Sequence, residues 1–409
     1  MSSTTNGWTR RNILKTSAAL SAGVTLGYPR ATIAQSAQPI RLLVLASLSG
    51  TAAVVGQGAT SGVKTAIDRV NAAGGIMGRK VDLVVVDTAT DPSKAAVLLQ
   101  DNLTSNRPAA VIHVGPAAEV FATSAICNRE KLPYFHLADA AAFADVSKSR
   151  YLFSMNVPVD STERIMAQQV ASFGVKKIAA MYALDGTGEN HAINFKPAFD
   201  AAKVDVLAIE RFKPTDLDLT SQLRTLDTAA PDLIFVDATG AVNGYILQGI
   251  NKLDIKRPIL FGRVSALSPL ETLMDASKLP PSYLYIYSSG LRGPGGRGDS
   301  PLAKEILPSL LSYTGGKVIT SMHLYGWGHD AALIWATAVR NAQSVDAEAV
   351  VANLESWADK PPKDVKFITR ENFPYSKDAR LPAASADAVG FGKYGTLQDG
   401  TREAVSKFS

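Results

Sequence analysis

Residues 41–91 read RLLVLASLSGTAAVVGQGATSGVKTAIDRVNAAGGIMGRKVDLVVVDTATD, and this stretch decides the fold class. Leu42 to Ala46 is a short apolar run bounded by Ser and Gly, too short for a helix, so it reads as a buried strand. A polar, small-residue loop is expected from Ser47 to Gly56. Val63, Ala66, Ile67, Val70 and Ala73 then recur at helical spacing and stop at Gly74-Gly75, a helix C-terminus signal. A second strand, Val81 to Val86, ends at Asp87. The unit is β-loop-α-β, with its long loop at the carboxyl end of the first strand, the end of a parallel sheet where ligands bind.

The same alternation continues along the chain. A helix from Asp91-Pro92 to about Ser105, strand 109–114, helix 117–130 and strand 133–137 are expected, then a polar loop at 138–148. The rhythm breaks at 151–158 and restarts: helix 161–173, strand 177–182, helix 189–201, strand 204–209, helix 219–228, strand 232–237, helix 241–253, strand 258–261. Strand 283–287, a Gly-rich loop at 291–298 and helices 303–313, 327–342 and 347–357 follow, and these late helices suggest a return to the first lobe. The last fifty or so residues read as loops with two short strands. Short turns between alternating strands and helices imply an α/β fold with parallel, doubly wound sheets in two Rossmann-like lobes.

Composition excludes several classes. At 409 residues and 46% hydrophobic, the chain has ample material for the core of a two- or three-domain protein. No apolar run reaches the length of a membrane-spanning helix. A lone cysteine, Cys127, excludes a disulfide within the chain and reads as a small buried residue. Arg10-Arg11 followed by the mild apolar stretch 16–27 resembles a twin-arginine export signal, with cleavage expected after Ala34 or Ser36. No cysteine stands near that point to carry a lipid anchor. Arg10, Arg11, Lys15 and Arg30 account for four of the five net positive charges, so the exported chain carries 5 − 4 = +1 and gives no hint of nucleic acid.

Motifs for chemistry are sparse. Gly56-Gln57-Gly58-Ala59-Thr60-Ser61-Gly62 with the acid Asp87 imitates a dinucleotide fingerprint, but nine residues separate the strand from its first glycine. G-x-S-x-G, H-E-x-x-H, P-loop and paired-cysteine motifs are absent, and His113, His136, His191, His323 and His329 show no metal spacing. Ordinary packing is expected for His113, His323 and His329, and no cofactor is expected. Arg297-Gly298-Asp299 reads as a coincidental tripeptide.

Read whole, the chain resembles the branched-chain amino acid binding proteins of bacterial ABC importers, the leucine-binding-protein-like group of the type I periplasmic binding-protein fold. The resemblance rests on Leu48-Ser49-Gly50, on Ile67 to Lys80 with its Gly74-Gly75-Ile76-Met77-Gly78-Arg79-Lys80 block, and on Asp87 to Pro92. Gly115-Pro116, Leu132-Pro133-Tyr134, Asp185 to Gly188 and Gly326 to Arg340 extend it over nearly all of the exported chain. It implies two lobes joined by three crossovers, a solute in the cleft between them and no enzymatic activity. The expected domains are 1–38 as signal peptide, 39–157 with 290–356 as lobe 1, and 158–289 with 357–409 as lobe 2 and C-terminal segment. The expected partners are a small-molecule solute, an inner-membrane ABC permease and, during export, the twin-arginine translocase. A soluble, monomeric, periplasmic protein is expected.

The resemblance also places the site. Where amino-acid binders clamp the α-carboxylate with a Ser and an Ala-Thr pair, this chain carries Glu119 and Asp139-Ala140; their aromatic before a second-lobe glycine is Thr187 here. Their ammonium-accepting acid falls on Arg263. A free α-amino acid in the usual pose would meet like charge at both ends, at a cost of several kcal/mol. Arg263 suits a carboxylate, by a bidentate pair, unless it pairs with one of those acids in the empty cleft. The expected cleft residues are Ser49, Glu119, His136, Asp139, Ala140, Thr187, Thr239 and Arg263, with Val55 and Tyr325 as its apolar wall. An organic acid, aromatic or hydroxylated, is favoured over leucine. The alternatives are a sensor subunit presenting its liganded state to a membrane receptor and, less favoured, an exported NAD-dependent enzyme.

Overall fold

A computed structural model of the protein describes residues 38–138, 143, 145–147, 149–382, 385, 387–395 and 397–408. The signal-peptide expectation, and Asp139 and Ala140, lie outside the described residues. Two sheets organise the rest. In the first lobe, β1 (Ile40–Ala46), α1 (Ala53–Ala72), β2 (Val81–Asp87), α2 (Pro92–Ser105), β3 (Ala110–Val114), α3 (Ala117–Arg129), β4 (Tyr134–His136) and β5 (Leu152–Ser154) follow one another. The strands lie parallel in the order β2-β1-β3-β4-β5. Residues 42–46 are all fully buried, as a strand covered on both faces requires. Asp91 caps α2, its carboxylate accepting from the Ser93 and Lys94 N–H groups, with Pro92 in the first turn.

The chain then crosses into the second lobe through α4 (Val159–Ser172). There β6 (Lys177–Ala183), α5 (Gly186–Ala201), β7 (Asp205–Phe212), α6 (Thr220–Thr228), β8 (Leu233–Asp237), α7 (Val242–Lys252), β9 (Ile259–Phe261) and β10 (Ser282–Tyr287) form the parallel part of the second sheet. After β11 (Leu291–Arg292), helices α8 (Pro301–Ser312), α9 (Met322–Ala342) and α10 (Ala347–Glu355) return to the first lobe. Finally β12 (Val389–Lys393) and β13 (Arg402–Val405) rejoin the second sheet, whose order is β11-β13-β12-β10-β9-β8-β6-β7, with β12 antiparallel to both β10 and β13. The chain thus passes between lobes three times.

Four sequence expectations change here. The opening loop is Ser47–Ala52, because α1 begins at Ala53 and takes Gly56, Gly58 and Gly62 into its first turns. These glycines are sites of close backbone approach. A Cβ on Gly56 would stand 2.0 Å from the Ser47 carbonyl oxygen, and one on Gly62 would stand 1.9 Å from that of Tyr325. Gly328 of α9 answers from the other side, 1.7 Å from the Ala59 carbonyl oxygen. The fingerprint-like string is therefore a set of close-packing positions within α1: Gly56 against the end of β1 and Gly62, with Gly328, in a seam between α1 and α9. Second, α9 starts at Met322, five residues earlier than its apolar pattern suggests, because the Ser321 hydroxyl caps it. Third, α5 starts at Gly186, where Asp185 accepts from Gly188 N–H at 2.8 Å.

Fourth, the C-terminal segment divides between the lobes. Asp330 of α9 accepts from the Ile368 and Thr369 N–H groups, Tyr375 donates to the Ser154 carbonyl, and Ser154 N–H donates to the Arg380 carbonyl. Residues 368–380 therefore belong with the first lobe, and only the β12–β13 hairpin completes the second. Aromatic packing agrees, since Tyr375 meets Phe153 edge-on at 5.1 Å. Cys127 is buried in α3, and burial pushes its thiol well up, as expected of an inert core cysteine.

Candidate functional site

The loops that leave the carboxyl ends of β1 and β8, one from each lobe, approach each other. On the first-lobe side, β1 runs into Ser47-Leu48-Ser49, and the Asp87 carboxylate at the end of β2 fastens that loop. Leu48 N–H, Ser49 N–H and Ala89 N–H donate to Oδ1, and Ser49 Oγ donates to Oδ2 at 2.7 Å. Partial burial works against the charge, but these hydrogen bonds outweigh it and hold Asp87 below the usual carboxylate range. The lobes meet at this rim. A Cβ on Gly240, after β8, would lie 3.6 Å from the Thr51 carbonyl oxygen of the first lobe. The described conformation is closed there.

The second-lobe floor is more polar. Asp237 ends β8, and its Oδ1 accepts from Ser265 N–H at 2.9 Å. Burial pushes its carboxyl up to about 6, against the pull of His191, Ser265 N–H and Arg263. Tyr182 of β6, His191 of α5 and Asp237 line a narrow pocket together with Thr187, Thr239 and Val264. His191 Nδ1 lies 2.6 Å from Glu163 Oε1 of α4. Burial lowers the affinity of the His191 imidazole for a proton, but the Glu163 hydrogen bond and charge outweigh it, and the net displacement is upward. Tyr182 Oη, His191 Nε2 and Glu163 Oε2 are buried, with no hydrogen-bond partner among the described residues. Each such atom costs about 1–3 kcal/mol.

Beside Arg263 stands a buried aromatic cluster from β10 and α9. Arg263, 6% exposed, lies with its guanidinium carbon 5.1 Å from the Tyr287 ring centroid and donates to the Tyr287 hydroxyl, which itself donates to Asn156 Oδ1. The Tyr287 ring stacks on His323 at 3.9 Å, and Trp327 meets His323 edge-on at 4.0 Å. Burial, with the positive charges of Arg263 and Arg370, holds the His323 imidazole well below its ordinary value and therefore neutral.

The expected residues divide. Thr187, Thr239 and Arg263 sit in the second-lobe half of this region, and Ser49 on the opposite lip. Val55 is half-buried in the first turn of α1. His136 ends β4, buried and 4.7 Å from the Phe143 ring. Glu119, expected to face the solute, instead turns into its own lobe: Oε1 accepts from Ser47 Oγ at 2.8 Å and Oε2 from His113 Nε2 at 2.9 Å, with no exposed surface. Burial keeps His113 neutral, so it donates Nε2–H to an ionised Glu119; burial pushes the Glu119 carboxyl up, but hydrogen bonds from His113, Thr88 and Ser47 outweigh it and the net displacement is downward. Tyr325 is not cleft wall either. It packs among Ala303, Ile306, Leu310, Met322 and Ile368, its hydroxyl accepting from Ile319 N–H. Tyr287, His323 and Trp327 form a buried aromatic cluster against Arg263, so His323 packs beside a predicted site residue.

Sequence reasoning missed Glu163, Tyr182, His191 and Asp237. Asp237 had a signal, an acid at the carboxyl end of a strand; the Glu163–His191 pair had none, since its members lie on different helices. Among the described residues no His/Cys/Asp/Glu group has the makings of a metal site, and no helix is long and apolar enough to cross a membrane.

A profile for the family described as periplasmic binding protein matches residues 39–380. Leu/Ile/Val-binding protein homolog 8 of Brucella suis is 24% identical over 251 residues, 59% of this chain and 62% of that protein, so the chain spans about three fifths of that relative's length. Among solved structures, the branched-chain amino acid transporter substrate binding protein LivJ of Streptococcus pneumoniae, in complex with isoleucine, matches with a TM-score of 0.73 at 20% identity, over 90% of this chain and 99% of that one. A solute binding protein of an ABC transporter from Rhodopseudomonas palustris, in complex with 3,4-dihydroxybenzoic acid, matches with a TM-score of 0.72 at 15% identity, over 87% and 93% of the two chains. At these identities the structural likeness establishes the fold alone.

Proposed function

Because this chain belongs to the periplasmic binding protein family, we propose that it is the solute-binding subunit of an ABC importer and that its solute is a small organic acid, aromatic or hydroxylated. The observation that carries the acid reading is Arg263, a buried guanidinium held over the Tyr287 ring at the position where the resembling amino-acid binders carry an acid. A carboxylate meets that fork in two parallel hydrogen bonds. The buried Tyr287–His323–Trp327 cluster backs Arg263 and holds its guanidinium in place. The solute stabilises the closed form because only there do both lobes reach it. The R. palustris relative's dihydroxybenzoate supports the same class.

Export through the twin-arginine translocase and recognition of the closed form by an inner-membrane permease belong to the same proposal. Exchange of Arg10 and Arg11 for Lys should abolish export of a tagged chain; undiminished export would remove that route. The solute class is tested by a thermal-shift screen of the purified protein against organic acids, amides and amino acids. A solute at 100 times its Kd raises stability by about 2.7 kcal/mol. Strong shifts with leucine, isoleucine or valine, and none with organic acids, would overturn the acid reading.

A further inference from the structure

We propose that the second-lobe pocket formed by Tyr182, His191 and Asp237, with Glu163 behind His191, is a subsite for a neutral hydroxyl of the solute, apart from the carboxylate taken by Arg263. The inference rests on the acid reading above and specifies the other end of the molecule. Its first support is the set of buried polar atoms left without partners. Tyr182 and His191 both line the pocket, and Tyr182 Oη and His191 Nε2 have no hydrogen-bond partner among the described residues. Folded proteins rarely leave buried polar atoms unmet, so this pair calls for a partner from outside the chain.

The second support is what the set accepts and what it rejects. Asp237 and the His191-bound Glu163 place two acids at or behind the pocket, so a second carboxylate would meet like charge. An ammonium only donates, and it would face the nearby Arg263 charge, which acts on Asp237, His191 and Tyr182 alike. A hydroxyl both donates and accepts, so it can give its proton to Asp237 and receive one from Tyr182 or His191. The pocket is narrow, with room for about one water-sized group. It suits the tip of a solute rather than its body. The N-terminus of α5 closes it, with Asp185, Thr187 and Gly188 along the wall.

The test is calorimetric titration of the purified protein with 4-hydroxybenzoate, benzoate and 4-(aminomethyl)benzoate. The hydroxy acid is expected to bind about tenfold more tightly than benzoate, the typical value of a buried hydrogen bond correctly met. That advantage should shrink to about twofold in Tyr182→Phe and in His191→Gln, each checked for folding by circular dichroism. Equal affinities for benzoate and 4-hydroxybenzoate, both abolished by Arg263→Ala, would overturn the hydroxyl subsite and leave the acid reading standing. Tightest binding of the aminomethyl compound would overturn the subsite as drawn. Silence with all three would overturn the acid reading and the subsite with it. An undiminished hydroxyl advantage in both variants would place the hydroxyl elsewhere and overturn the assignment.

Discussion

His191 Nδ1 and Glu163 Oε1 face each other at 2.6 Å, with both side chains only 2% exposed, and join α5 to α4 beneath the second-lobe floor. The net rise in the His191 pKa sets the sign of a pH effect. A histidine whose folded pKa exceeds its unfolded value adds stability that is complete below about 6.5 and is lost as pH rises through the folded value. Asp237, raised to about 6, acts in the same direction: ionising it between the usual carboxylate range and about 6 weakens the fold. Scanning calorimetry from pH 5 to 9 should show Tm declining above about 6.5, and His191→Gln should flatten that limb. Parallel profiles for the two proteins would count against the pair.

Arg263 leads to a second prediction. Arg263→Ala should weaken an organic acid by about 2–5 kcal/mol, the usual cost of truncating one partner of a buried charge pair. Arg263→Lys should recover only part of that loss, because an ammonium lacks the planar fork. Calorimetric titration checks both, and unchanged affinity in the Ala variant would remove Arg263 as the anchor.

The α1–α9 seam gives a stability contrast. Gly328→Ala places a methyl 1.7 Å from the Ala59 carbonyl oxygen, so the helices must separate, at about 3 kcal/mol. Gly244→Ala, in the first turn of α7 with nothing within 4 Å, should be neutral or gain about 0.5–1 kcal/mol from the reduced entropy of the unfolded chain. Thermal unfolding of the two variants should move in opposite directions or, at least, only the first should fall. Equal Tm values would mean that the seam is looser than described.

Tyr325 separates core from cleft. Tyr325→Phe removes the acceptor for Ile319 N–H in the α8–α9 core and should cost about 1 kcal/mol of stability. Solute affinity should stay within about twofold of the parent, since the ring touches core residues and not the cleft wall. A tenfold loss of affinity with intact stability would return Tyr325 to the site.

The residue pattern alone carried the alternation of strands and helices, the two lobes and the crossing of the late helices back to the first. These follow from local periodicity and from caps such as Asp91-Pro92, which act within a few residues. It also marked Arg263 as a departure from the resembling binders, because charge type at a strand end is legible without coordinates. Where side chains turn and what meets them depends on packing between elements far apart in the chain. Glu119 looked like a solute contact until His113 and Ser47 took both its oxygens. Gly62 looked like part of a dinucleotide fingerprint until α9 approached α1. Glu163 and His191, 28 residues apart, gave no sign of each other in the sequence. The reason is physical: periodicity reports that a face is buried, while the partner of a buried polar group is chosen by whichever distant element packs against it.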